Sequence, residues 1–205
     1  MVIYMNLGRL GFSRSTYSEV IFTVRLKEMV NAAPMGVLLN DEEEIYLRVY
    51  KGQRTYDMIV NGAEDCVLNI TDDPRLFYYA IFEKEKISYH PAKRVSSPRI
   101  CGCDAYVECS ITEVTRHEEY VKVFLKPLLI AVTERTVSAY NRAGPAIIEA
   151  LICYTRLLYF KDADRGKAES LKKRIIIFKD IVYHSTEDSR LRKIATKILE
   201  QAEAL

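Results

Sequence analysis

Val30-Asn31-Ala32-Ala33-Pro34-Met35-Gly36-Val37 and, after an acidic turn, Ile45-Tyr46-Leu47-Arg48-Val49-Tyr50-Lys51-Gly52-Gln53-Arg54-Thr55 form the stretch that decides the fold. The first half reads as an extended strand of small residues. Pro34 has no N–H and suits an edge, a bulge or the first residues of a strand. Gly36 lets another group approach the backbone closely. In the second half Ile45, Leu47 and Val49 face one way and Tyr46, Arg48 and Tyr50 the other, which is the period of a half-buried strand. That strand runs into a basic loop containing a glycine. Between the halves, Asn40 to Glu44 is a solvated turn whose charge run needs no functional explanation.

Working outward, Ser18 to Arg25 alternates in the same way and predicts a strand, with Leu26 to Met29 as its connection to the next. Residues 1–17 read as a loose lead-in. Thr55 to Val60 is a short helix closed by Asn61-Gly62. Cys66 to Ile70 is an apolar strand. Asp72-Asp73-Pro74 resembles a helix start for Arg75 to Ile81. Residues 82–100 carry Pro91 and Pro98 and read as a long surface loop that covers a site. Ala105 to Val114 and Tyr120 to Leu125 are strands, and Leu128 to Thr133 is a further strand or a lead into helix.

After Asn141 the period changes. Ile147, Leu151, Tyr154 and Leu158, with Ile148, Ile152 and Tyr159, make one helical stripe. Leu171, Ile175, Phe178 and Val182 make a second, and Leu191, Ile194, Ala195, Ile198, Leu199 and Ala202 a third. Ser185-x-x-Asp188 resembles an N-cap pairing ahead of the third helix. Strands first and helices last predict an α+β chain, with a β domain over 1–140 and a three-helix appendage over 141–205.

Composition narrows the function classes. The 205 residues are 49% hydrophobic and 28% charged, with a net charge of +2, an ordinary globular profile. No extended basic stripe points to nucleic acid, and no apolar run reaches bilayer length. No signal-peptide pattern opens the chain, so the expected compartment is the cytoplasm. Cys66, Cys101, Cys103, Cys109 and Cys153 are odd in number and irregular in spacing. Cys101-x-Cys103 is not a zinc or redox spacing, and His90, His117 and His184 form no helical metal pair. Reduced thiols and no metal are expected.

Lys51-Gly52-Gln53-Arg54-Thr55 offers two cations, an amide and a hydroxyl at a strand end. Arg can grip phosphate oxygens through two parallel hydrogen bonds, and Lys adds a point charge. Neither a Walker loop nor a dinucleotide fingerprint is present. By spacing alone, a hairpin turn with solvated basic residues is the simpler account. Asn31 to Met35 is equally open: small side chains leave backbone amides reachable by a planar ring, and a packed strand with an edge proline explains them as well. Tyr50, Tyr56 and His90 can donate protons, though packing or surface positions account for each. For Arg142, Glu149 and Arg156 ordinary helix-surface ion pairs are the simpler account.

Taken together, Asn31 to Val37, Lys51 to Tyr56 and Val67 to Pro74 resemble the FMN-binding split-barrel proteins (flavin reductase-like), most closely a largely archaeal branch of them. Asn141-Arg142-Ala143, Ile148-Glu149-Ala150-Leu151 and Thr155-Arg156-Leu157 extend the resemblance over most of the chain. One departure is the passage from Arg25 to Asn31, which lacks the Asp-Gly turn common in the wider family. The resemblance implies an antiparallel six-stranded split β-barrel that forms a homodimer with FMN at the subunit interface. Carried over by position, Arg48, Lys51, Gln53, Arg54 and Thr55 would serve the phosphate. Asn31, Ala32, Ala33 and Pro34 would border the isoalloxazine ring, and Asn69 would contribute from the neighbouring strand. The function implied is a flavin-dependent oxidoreductase, with a reduced nicotinamide as a possible donor. The alternatives are a non-catalytic flavin carrier or sensor, or an interaction protein that has lost the cofactor.

Overall fold

The computed structural model describes residues 7–15, 17–41, 43–133 and 142–205. Its contacts divide the chain into two compact units, one of residues 1–71 with 79–136, the other of 72–78 with 137–205. The expected boundary at 140/141 lies outside the described residues, as do Asn141, Glu42 and most of the lead-in before Leu7.

The first unit is a closed antiparallel barrel. Its strands are β1 (Ser18–Leu26), β2 (Met29–Leu39), β3 (Ile45–Tyr50), β4 (Asp65–Ile70), β7 (Ala105–Arg116) and β8 (Tyr120–Val132), in the order β1-β2-β3-β8-β7-β4. Between β4 and β7, the two-residue strands β5 (Tyr89–His90) and β6 (Arg99–Ile100) pair with each other. The alternation read from the sequence becomes the inside and outside of the barrel. Val20, Phe22 and Val24 of β1, Ile45, Leu47 and Val49 of β3, and Val121, Val123 and Leu125 of β8 all fill one core. Helix α1 (Arg54–Val60) adds Met58 and Ile59 to that core, and the helix expected over Arg75 to Ile81 is α2 (Pro74–Phe82).

Three local features differ from the sequence expectations. Leu26 pairs with Met29, so the connection is a two-residue turn in which Lys27 takes φ 55°. Leu128 to Thr133 is not a separate element. Strand β8 continues through Pro127 to Val132, with a register shift between Glu108 and Cys109 where the proline interrupts the ladder. Residues 82–100 are also more ordered in secondary structure than a surface loop, with a 3₁₀ turn at Lys84–Lys86 followed by the β5–β6 pair.

Buried polar groups hold this segment as a strap. The carboxylate of Glu108, fully buried, accepts the N–H groups of Lys93 (2.9 Å) and Arg94 (2.6 Å). Asp65 accepts those of Ser96 (2.7 Å) and Ser97 (2.9 Å). Thr23 donates to the Pro98 carbonyl at 2.6 Å.

The second unit holds α3 (Ala143–Phe160), α4 (Arg165–Ser185) and α5 (Ser189–Glu203), which pack on one another. The two later stripes lie in its core as the periodicity predicts, with Ile175, Val182 and Ile198 fully buried. On α3 the stripe is rotated: Leu157 is buried, whereas Leu158 is 43% and Tyr159 53% exposed. Ala143, Ala146, Ala150 and Cys153 are buried with Leu157, and their small side chains permit a close helix approach. Asp188 does cap α5, accepting from the Arg190 N–H at 2.8 Å, but Ser185 instead closes α4 by donating to the Ile181 carbonyl. Asp164, which the sequence reading passed over, caps α4 through the Lys167 N–H. Helix α3 bears on the membrane expectation without overturning it. At 18 residues and mean hydropathy 1.2 it reaches the lower bound for a span by length and composition. Glu149 and Arg156 interrupt it, which is why no continuous apolar run is visible, and half of it is buried.

Candidate functional site

Strand β2 has an uneven edge. It pairs with β1 from Met29 to Val37 but with β3 only over Val37 to Leu39. The segment Asn31 to Gly36 therefore has a strand partner on one side only. This is where Asn31, Ala32, Ala33 and Pro34 sit, with Pro34 placed opposite Ile21 of β1. Asn31 and Ala32 are buried; Ala33 and Pro34 are half-buried.

Asn31 shares its parity with Ala33, Met35 and Val37, the residues of β2 that meet the barrel core. At that end its amide meets α1 rather than another strand. Asn31 Nδ2 donates to Thr55 Oγ1 at 2.9 Å, and both residues are at most 2% exposed. The ring-bordering strand and the basic loop of the sequence reading are thus joined directly by a buried hydrogen bond. The loop is held at its start by the Lys51 N–H, which donates to the Glu119 carbonyl at 3.0 Å. Gly52 turns it with φ 82°, a left-handed conformation that glycine adopts without a side-chain clash. Lys51, Gln53 and Arg54 are exposed, and their side chains make no hydrogen bond or ion pair among the described residues.

A third element enters the cluster. Lys84, in the 3₁₀ turn, donates from Nζ to Asn31 Oδ1 at 2.6 Å. Burial pushes its pKa below the ordinary lysine value, and the positive charge of Arg54 adds to that. Nothing local in the sequence marks Lys84 apart from its neighbour Lys86, which pairs with Glu83 at 2.7 Å. Its partner Asn31 lies 53 residues away.

Two expected site residues stand apart. Arg48 projects from the exposed face of β3, with its guanidinium 5.3 Å from the Tyr120 ring centroid. Asn69 is completely buried in the joint of β1, β4 and β6. Its amide donates to the Ile21 carbonyl at 2.8 Å and lies within bonding range of Thr23 Oγ1 and the Val67 carbonyl, while its oxygen accepts the Ile100 N–H at 2.7 Å. Those bonds occupy both ends of the side chain. The Tyr50 ring lies tilted against that of Tyr120, with centroids 5.7 Å apart, and His90 is exposed on β5. Arg142, Glu149 and Arg156 are exposed and form no ion pair among the described residues, so the surface pairs expected on α3 are not made.

Residues 18–134 match the family model described as protein of unknown function (DUF447), N-terminal domain. The chain belongs to that family. Among solved structures, it is similar to an FMN-bound protein from Methanosarcina mazei that carries the same family designation. The TM-score is 0.76 at 21% identity, covering 95% of this chain and 99% of that one. Weaker likenesses, each with a TM-score of 0.49, include an FMN-binding protein from Thermus thermophilus and nitrilotriacetate monooxygenase component B from Mycobacterium thermoresistibile. The first is 16% identical, covering 64% of this chain and 80% of that one. The second is 18% identical, covering 58% and 72%. The six-stranded barrel of this DUF447 chain is therefore the fold of that FMN-bound Methanosarcina mazei protein, as the resemblance implied.

Proposed function

We propose that this DUF447 chain binds FMN and acts as an FMN-dependent oxidoreductase. The observation that carries the reading is the group of cations at one end of the barrel, Lys51, Arg54 and Lys84, none of which has a carboxylate partner among the described residues. Uncompensated positive charge beside the half-paired edge of β2 suits a ligand with an anionic end and a flat body. FMN has that shape, and the fit is supported by the FMN-bound state of the similar Methanosarcina mazei protein.

Lys51, Gln53 and Arg54 offer charged and neutral donors to the phosphate. Thr55 already accepts from Asn31 and keeps its own hydroxyl hydrogen for the ligand. The backbone of Asn31 to Pro34 borders the ring and sets which of its edges meet a hydrogen-bond donor. FMN, when bound, supplies two-electron chemistry that no side chain here provides. A second copy of the chain completes the pocket in this reading, and a reduced nicotinamide is the electron donor. The thiols of Cys66 and Cys109 face each other across β4 and β7, and the proposed compartment is the cytoplasm.

The double variant Lys51→Ala with Arg54→Ala tests the phosphate assignment. Binding of FMN should weaken by about 1.5–3 kcal/mol per lost charged contact. Unchanged affinity contradicts it. A second reading, a flavin carrier without turnover, is favoured by the makeup of the Asn31 cluster: its bonds join an amide, a hydroxyl and an ammonium, with no carboxylate or imidazole to move protons. Anaerobic mixing with NADH separates the two, because bleaching of the flavin band within seconds supports the enzyme and an unchanged band supports the carrier.

A further inference from the structure

We infer that Lys84 is a specificity-determining residue of this site: its ammonium contacts the terminal phosphate and selects FMN over riboflavin. The inference rests on the FMN-binding reading and adds a residue that neither the motif nor the resemblance assigned.

The argument is geometric. Lys84 Nζ is fixed by one hydrogen bond, 2.6 Å to Asn31 Oδ1. An ammonium carries three hydrogens, so two remain to be satisfied. No other bond and no ion pair is made by Lys84 among the described residues. Its partner Asn31 borders the ring through its backbone, but the Asn31 side chain reaches toward the phosphate side of the site. Asn31 is bound to Thr55, and the nearby charge acting on Lys84 is that of Arg54. A cation tied to a buried amide and set next to a second cation is unfavourable in the free protein, since partial desolvation and like charge both oppose the protonated state. A dianionic phosphomonoester placed between them reverses both terms, because it replaces the lost water with charged hydrogen bonds. An uncharged ribityl chain ending in a hydroxyl does not. Asn31 therefore orients the ammonium, while Lys84 and Arg54 form two sides of an anion cradle contributed by sequence positions thirty residues apart.

The test compares dissociation constants for FMN and riboflavin, by flavin fluorescence, in the full-length wild type, Lys84→Met and Lys84→Arg. The expected result is that Lys84→Met weakens FMN about 10- to 100-fold, the range for one charged hydrogen bond. Riboflavin affinity should stay within twofold, and Lys84→Arg should keep most of the preference for FMN. Equal weakening of both flavins by Lys84→Met would place the ammonium against the ring and overturn the inference. So would an unchanged FMN affinity. A wild type that binds neither flavin overturns the inference together with the reading beneath it, whereas a wild type that binds FMN confines any failure to Lys84. Circular dichroism of each variant confirms that the barrel is intact, and Lys84→Gln serves if Lys84→Met fails to fold.

Discussion

Two asparagines of this chain look alike in sequence and differ in what they do. Both lie in strands and both are at most 2% exposed. Asn69 is tied to β1, β4 and β6 through the Ile21 and Val67 carbonyls and the Ile100 N–H. Asn31 joins β2 to α1 and to the Lys84 turn. Replacing Asn69 with Leu leaves buried backbone groups without partners, and should cost about 1–3 kcal/mol per orphaned group. Urea unfolding checks this, with the FMN affinity of the folded variant expected within twofold of wild type. Replacing Asn31 with Leu should do the reverse: it frees Thr55 and Lys84, and weakens FMN binding more than it lowers the unfolding midpoint. If Asn69→Leu were instead to abolish binding while leaving stability unchanged, Asn69 would be a ligand contact. Sequence could nominate both residues, because a polar residue in an apolar strand is visible. It could not tell them apart, because the partners that distinguish Asn31 (Thr55 and Lys84) lie 24 and 53 positions away.

At the scale of the element, alternation was legible and interruptions to it were not. Strands β1 and β3 begin and end within a residue or two of where the period of two places them, and β4 within a residue of the apolar run Cys66 to Ile70. The sequence separates Tyr120 to Leu125 from Leu128 to Thr133, yet β8 runs through Pro127 with a register shift. The turn at Lys27 has no glycine to announce it. A non-glycine residue at φ 55° carries a steric penalty, so Lys27→Gly should stabilise the barrel by up to about 1 kcal/mol, the lower end of the left-handed penalty. A lower unfolding midpoint in that variant would contradict this.

The strap over 82–100 shows the same limit. Its anchors, Asp65 and Glu108, are acids that sequence would place on a surface. Burial raises the pKa of Asp65, but hydrogen bonds from Ser97 and Ser96 outweigh it and hold the carboxyl below its ordinary value. A depressed folded-state pKa gives stability above the unfolded value that is lost as pH falls through the folded one. Between about pH 5 and about pH 2, the wild-type urea midpoint should therefore fall more steeply than that of Asp65→Asn. Parallel curves would mean that the Asp65 bonds contribute nothing to the strap.

At the scale of the molecule, the fold class was readable because two signals agree: strands with a period of two lead the chain, and helices with a period of 3.6 end it. Closure of the barrel was not readable from periodicity, because pairing of β1 with β4 joins residues 42 to 48 positions apart. The resemblance supplied it. Assembly is a prediction at this scale. Sedimentation equilibrium should give twice the 23.6 kDa of one chain, and a monomer that still binds FMN would remove the second copy from the pocket. The central claim, that this DUF447 chain is a flavoprotein, is tested most directly by an absorbance spectrum of the purified protein after addition of FMN and gel filtration. The account predicts flavin bands that travel with the protein at one FMN per chain. A protein peak with no flavin absorbance would contradict it.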